Sequence, residues 1–101
     1  MKYETHDVVR ERLLSEHPEI RQEYERLRPR YEVIAKLIQA RHELKLTQAQ
    51  LAERMGTTQN AVSRLESGES NPRLDTLVRA AQALGRDLTI EFAETGPGTG
   101  R

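Results

Sequence analysis

Six residues between positions 58 and 67 carry side chains suited to reading another molecule: Thr58, Gln59, Asn60, Ser63, Arg64 and Ser67. On a helix of 3.6 residues per turn they gather on one side, and Ala61, Val62 and Leu65 supply the apolar other side. The polar side consists almost entirely of hydrogen-bonding groups and holds no carboxylate. Asn and Gln can each make two hydrogen bonds to adenine, and Arg can do the same with guanine, so this face suits the major groove of DNA. A solvated helix face with no ligand is the plain alternative. Such faces are usually rich in Glu and Lys, however, and this one is short of both.

A face of this kind works only if neighbouring elements hold it out. Thr47-Gln48-Ala49-Gln50 has the form of a capping box, in which the Thr hydroxyl and the Gln amide satisfy each other's backbone donors. It opens a short helix that buries Leu51, Ala52 and Met55 and stops at Gly56. Thr57 or Thr58 then caps the helix carrying the polar face, which ends before Gly68. Two short helices joined by a tight turn form a helix-turn-helix, with the second set steeply to the first. Ala52 fits that geometry because a large side chain there would hold the helices apart. Upstream, Tyr31 to His42 reads as a helix burying Ile34, Ala35, Leu37 and Ile38. Downstream, Pro72 resets the chain, and Leu74, Leu77, Val78, Ala81 and Leu84 form the apolar face of a last helix closed by Gly85. Short helices with short links predict a mostly all-α bundle.

The first thirty residues are different. Asp7 to Leu14 reads as a short helix with Val8, Val9 and Leu13 as its apolar contribution, and Ser15, or His17 ahead of Pro18, can start another. From there Ile20, Tyr24, Leu27, Tyr31, Ile34 and Ile38 recur at spacings of four and three, which is an apolar stripe along a helix. Pro29 interrupts the stripe without shifting its phase. A kink or a short break is expected there, since an internal proline costs ~3 kcal/mol; two separate helices on one core are the alternative. At the other end, Asp87 to Phe92 alternates with period two, placing Leu88, Ile90 and Phe92 on one face of a short strand. A lone strand needs a partner for its backbone, and no other segment reads as one, so the partner can be another chain. The tail Thr95 to Arg101 is expected to be disordered.

Composition narrows the function. The 101 residues amount to one domain. Sixteen basic and sixteen acidic residues give a formal net charge of zero, so DNA binding has to come from local placement of a few groups rather than from bulk charge. With no cysteine, disulfides, thiol catalysis and cysteine-ligated zinc are excluded. His6, His17 and His42 lack metal-ligand spacing, and no metal or cofactor is expected. The carboxylates of the N-terminal segment alternate with Arg as solvated helix faces do, and GPGTG lies in the tail with no helix after it. An enzyme is not indicated. No apolar stretch reaches the ~20 residues of a membrane span, and the N-terminus lacks a signal-peptide run, so a cytoplasmic protein is expected.

The segment TQAQLAERMGTTQNAVSRLESG resembles the helix-turn-helix of the lambda-repressor-like (XRE) family, and the wider resemblance runs from about Ile34 to Gly85. Thr47, Gln48, Leu51-Ala52, Gly56, Gln59, Leu65-Glu66, Gly68 and Leu74/Leu77 all stand in register. The resemblance implies that Gln48 contacts a phosphate and buttresses Gln59. It implies that Gln59, Asn60 and Arg64 reach base edges, with Thr58 and Ser63 touching backbone or bases. Arg41 and Glu66 match a pair that forms a structural salt bridge in lambdoid repressors. Those proteins often have a basic loop after the recognition helix; Glu69 and Ser70 stand here instead, which leaves Arg73 to supply a phosphate contact.

The helical extension, RPRYE leading into the motif, and DLTIEF after it together resemble a HigA-type antitoxin. That resemblance implies a homodimer that represses its own operon and binds a small RelE/HigB-like toxin that cleaves mRNA. Residues 1–30 would be the toxin-binding extension, with Val8, Val9, Leu13, Ile20, Tyr24 and Leu27 as its contact side chains. Residues 31–86 would bind DNA, 87–93 would form the strand and 94–101 the tail. A stand-alone XRE regulator without a toxin is the alternative, and an interaction module that has lost DNA binding is a third.

Overall fold

A computed structural model of the chain describes residues 15–94. Four helices stand out among them: α1 (Pro18–Glu43), α2 (Gln48–Met55), α3 (Gln59–Ser67) and α4 (Leu74–Ala83). The Asp7–Leu14 helix, Val8, Val9 and Leu13, and the tail from residue 95 lie outside the described residues.

α1 is a single helix of 26 residues that passes through Pro29, so neither the break nor the pair of separate helices is present. His17 is its N-cap and Pro18 its first residue, where a missing N–H had no intrahelical partner. At 1.5 Å per residue the 26-residue helix is about 39 Å long. Its C-terminal part buries Ile34, Leu37, Ala40 and Arg41. This corrects the expected face: Ala35 is exposed and Ile38 only half-buried. Apolar residues occupy several faces of this stretch, and the position of α3 decides which of them goes inside.

The core lies where α2, α3 and α4 meet that part of α1. Leu51 and Val62 are its fully buried large side chains, surrounded by Leu37, Ala40, Ala52, Met55, Leu65, Ala80 and Leu84. Burying one such aliphatic side chain contributes roughly 1.5–3 kcal/mol. In α4 the expected stripe shifts by part of a turn. Leu74 is 56% exposed while Ala80 is completely buried within the core cluster. Leu77, Val78 and Ala81 are half-buried.

The helix links follow the punctuation of the sequence. Thr47 and Gln50 form both arms of the capping box, at 3.0 and 2.8 Å. Gly56 sits at φ +73 with open space where a Cβ would be. Conformation rather than crowding selects glycine there, since a left-handed residue with a Cβ costs roughly 1–2 kcal/mol.

The predicted strand is absent. Residues 86–94 form neither helix nor strand, and among the described residues the last backbone hydrogen bond runs from the first of them, Arg86 N–H, to the Ala81 carbonyl, at 2.8 Å. The described residues offer this segment no second strand, and without one its alternation cannot become a ladder.

Candidate nucleic-acid interface

α3 is short and firmly fixed. Thr58 caps it, its hydroxyl accepting from the Ala61 N–H at 3.1 Å. Val62 and Leu65 drive into the core. Gln59, Asn60, Ser63 and Arg64 remain exposed, as do Thr58 and Ser67. The first turn of α3 has no acidic residue, so its free N–H groups and the positive end of its dipole face outward unopposed. Ser67 differs from the other five. Its hydroxyl donates to the Arg64 carbonyl at 2.7 Å and accepts from the Glu69 N–H at 3.2 Å, so it finishes the helix.

Behind this face lies a buried polar cluster. The Arg41 guanidinium grips the Glu66 carboxylate with two hydrogen bonds, Nε to Oε2 at 2.7 Å and Nη2 to Oε1 at 2.9 Å. Its Nη1 donates to the Leu46 carbonyl at 2.8 Å. The two side chains are only 10% and 5% exposed. The parallel, two-bond geometry offsets the desolvation that a buried ion pair otherwise suffers. The ion pair implied by the family resemblance is therefore present, and it ties α1 to α3.

Gln48 joins the cluster. Its Nε2 donates to Glu66 Oε1 at 3.0 Å, whereas the resemblance implied that it would buttress Gln59. A carboxylate is a stronger acceptor than an amide, and Glu66 wins the contact. Gln48 is half-buried at the first position of α2.

Arg73 is the N-cap residue of α4 and is exposed, with no side-chain capping bond.

Three supporting residues were not anticipated. Arg79 caps the end of α2 by donating to the Met55 carbonyl at 2.8 Å. Arg30 Nη1 reaches the Gly68 carbonyl at 3.4 Å. The Tyr31 ring lies 3.6 Å from where a Gly68 Cβ would be. These contacts span 24 to 38 residues, and no local pattern announces them.

Of the six expected toxin contacts, three are described. Ile20 is 46% exposed, and Tyr24 and Leu27 are half-buried. The Tyr24 and Tyr31 rings stand 6.3 Å apart, which carries the apolar stripe onto the bundle. Ion pairs Arg26–Glu23 and Arg28–Glu25 line the exposed flank.

The geometry agrees with what known proteins show. A family model described as helix-turn-helix matches residues 34–90, more than half of the chain. The chain is similar to an uncharacterized HTH-type transcriptional regulator of Haemophilus influenzae, 38% identical over 61 residues that make up 60% of this chain and 62% of that one. It is similar to antitoxin HigA1 of Mycobacterium tuberculosis, 43% identical over 54 residues that make up 54% of this chain and 36% of HigA1. Among solved structures it resembles a chain of a toxin–antitoxin module from Streptococcus pneumoniae, with a TM-score of 0.59 and 32% identity over 72% of this chain and 80% of that one. The chain thus spans under two thirds of the Haemophilus regulator and about a third of HigA1. With the fold, the capped two-helix motif and the match over residues 34–90 in agreement, the chain belongs to the XRE-type helix-turn-helix family.

Proposed function

We propose that this protein is an antitoxin and autorepressor. It binds operator DNA as a homodimer through α3 and neutralises a small RelE/HigB-like toxin through its N-terminal extension. The observation that carries the DNA half is the outward face of α3, free of carboxylate and held by the Gln48–Glu66–Arg41 cluster. Gln59, Asn60 and Arg64 read base edges; Thr58, Ser63 and Gln48 meet the backbone nearby, and Ser67 stands at the end of the face. Two recognition helices then enter successive major grooves ~34 Å apart.

Arg73 has the positional role. Arg73→Ala should weaken binding to every duplex alike and lower the slope of log K against log salt by about 1, because one phosphate contact is lost and no base contact. Anisotropy titrations at several salt concentrations measure it. A loss confined to one sequence would instead make Arg73 a base reader.

The toxin half rests on the similarity to HigA1 and to the Streptococcus toxin–antitoxin chain, together with the apolar Ile20–Tyr24–Leu27 stripe of α1, of which Ile20 is exposed and Tyr24 and Leu27 are half-buried. Native mass spectrometry of the tagged chain purified from its own host tests it. The expected result is a co-purifying small protein at fixed stoichiometry that stops translation when expressed alone. A chain that purifies without such a partner favours the second reading, a stand-alone regulator like the Haemophilus relative.

A further inference from the structure

Each of the four helices is followed by a residue in the left-handed conformation. After α2, α3 and α4 these are Gly56, Gly68 and Gly85, at φ +73, +75 and +71. After α1 it is Lys45, at φ +58, the one residue with a Cβ in that conformation among the described residues. The turn itself is regular. The Lys45 N–H donates to the His42 carbonyl at 2.9 Å and the Leu46 N–H to the Arg41 carbonyl at 3.1 Å, a closure at which glycine is the usual residue. A side chain held this way destabilises the turn, and no bond within the described chain compensates for it. Lys45 is exposed, and no hydrogen bond or ion pair among the described residues engages its ammonium. The nearest carboxylate in sequence, Glu43, is held by Arg86 at 2.8 Å and by Gln39 at 3.2 Å.

We propose that Lys45 binds a DNA phosphate on the α2 side of the motif, as Arg73 does after α3. This deepens the DNA-binding reading given above and rests on it. Lys45 stands two residues before Thr47, the N-cap of α2, and its turn shares an anchor with the recognition helix. Arg41 accepts from the Leu46 N–H, donates from Nη1 to the Leu46 carbonyl at 2.8 Å, and holds Glu66 of α3 through Nε and Nη2. A cation on this turn is therefore fixed relative to the face that reads bases.

The charge balance points the same way. With a net charge of zero, binding depends on the few cations that the fold leaves uncommitted. Between positions 41 and 79, Arg41 is paired with Glu66, Arg54 donates to the Ala83 carbonyl and Arg79 to the Met55 carbonyl. Lys45, Arg64 and Arg73 are the Lys and Arg side chains of that stretch that no hydrogen bond or ion pair engages among the described residues. Arg64 and Arg73 already have roles in the interface. A lysine ammonium is a compact point charge, which suits a phosphate better than a base edge. The competing account is structural, since the dipole of α1 also favours a cation at its end.

Anisotropy titrations at several salt concentrations separate the two, using a random-sequence duplex and a duplex enriched from a random pool. Lys45→Gln keeps a Cβ in the turn and removes the charge. It should weaken binding to both duplexes alike and lower the slope of log K against log salt by about 1 for each bound subunit. The ratio of parent to variant affinity should then shrink about eightfold per subunit for every tenfold rise in salt. Lys45→Arg should restore the parent slope. Lys45→Gly should show the same DNA defect while unfolding at or above the parent's urea midpoint, because glycine relieves the turn. A Lys45→Gln chain with the parent's salt slope overturns the proposal, as does a loss confined to one duplex. A Lys45→Gly chain that unfolds below the parent's midpoint overturns it too, by making the residue structural. A parent that binds neither duplex removes the DNA-binding reading as well. A parent that binds both, with a slope that Lys45→Gln leaves unchanged, removes this contact alone.

Discussion

Glu66→Ala should lower the unfolding free energy by about 3–5 kcal/mol, since removing one partner of a buried ion pair leaves the other charge uncompensated. That is a large share of the 5–15 kcal/mol that holds a typical domain folded, and urea denaturation with an unchanged m-value measures it. The size follows from the site. Arg41 is 8% exposed, its two carboxylate bonds are short, and in the variant only the Leu46 carbonyl would remain as its acceptor. An apolar replacement of both members, Arg41→Met with Glu66→Leu, should recover much of this loss, because two charges no longer need to be desolvated. The same double variant should still bind DNA more weakly than the parent, since Gln48 has lost the acceptor that holds its amide. Stability and recognition would then separate in one molecule. If Glu66→Ala unfolded at the parent's urea midpoint, the cluster would contribute nothing to the fold, and the account of how α3 is held would be wrong.

Replacing both Gln59 and Arg64 by Ala should cost about 2–6 kcal/mol of operator affinity, from roughly 1–3 kcal/mol for each two-bond base contact. Both side chains are exposed, and no hydrogen bond or ion pair among the described residues engages either of them, so the fold should be unaffected and the thermal melt unchanged. Binding to unrelated DNA should fall far less, because the backbone contacts proposed for Arg73 and Thr58 would remain. The ratio of specific to non-specific binding is therefore the quantity to read. The single variants should add approximately, one turn apart on α3 as they are, unless they share a base pair.

The parts of this molecule that were legible in the sequence are those fixed by local chemistry. The Thr47 box, the Gly56 stop, the Thr58 cap and the polar face of α3 each depend on neighbours within four residues, and each is where the pattern placed it. Tertiary geometry decided the rest. Which side of α1 faces inward, and why Ala80 rather than Leu74 is buried, depend on how α4 and α3 cross their neighbours. Gln48 turns to Glu66 rather than Gln59 because a carboxylate eighteen residues away competes for its amide. The alternation of Asp87 to Phe92 misled, since period two marks a strand only where a second strand pairs with it, and residues 86–94 form neither helix nor strand. Pro29 shows the reverse case. The stripe kept its phase across it, and α1 continues through it as one helix.

Selection of bound duplexes from a random pool, run in parallel with the parent and with Arg64→Ala, tests the central claim that α3 reads sequence. The parent should enrich two related half-sites centred about one helical turn apart. The Arg64→Ala chain should enrich the same site with one guanine preference relaxed in each half. A parent that enriches no sequence, or an Arg64→Ala chain that enriches the identical site with that guanine intact, would contradict the assignment of α3 as the recognition helix.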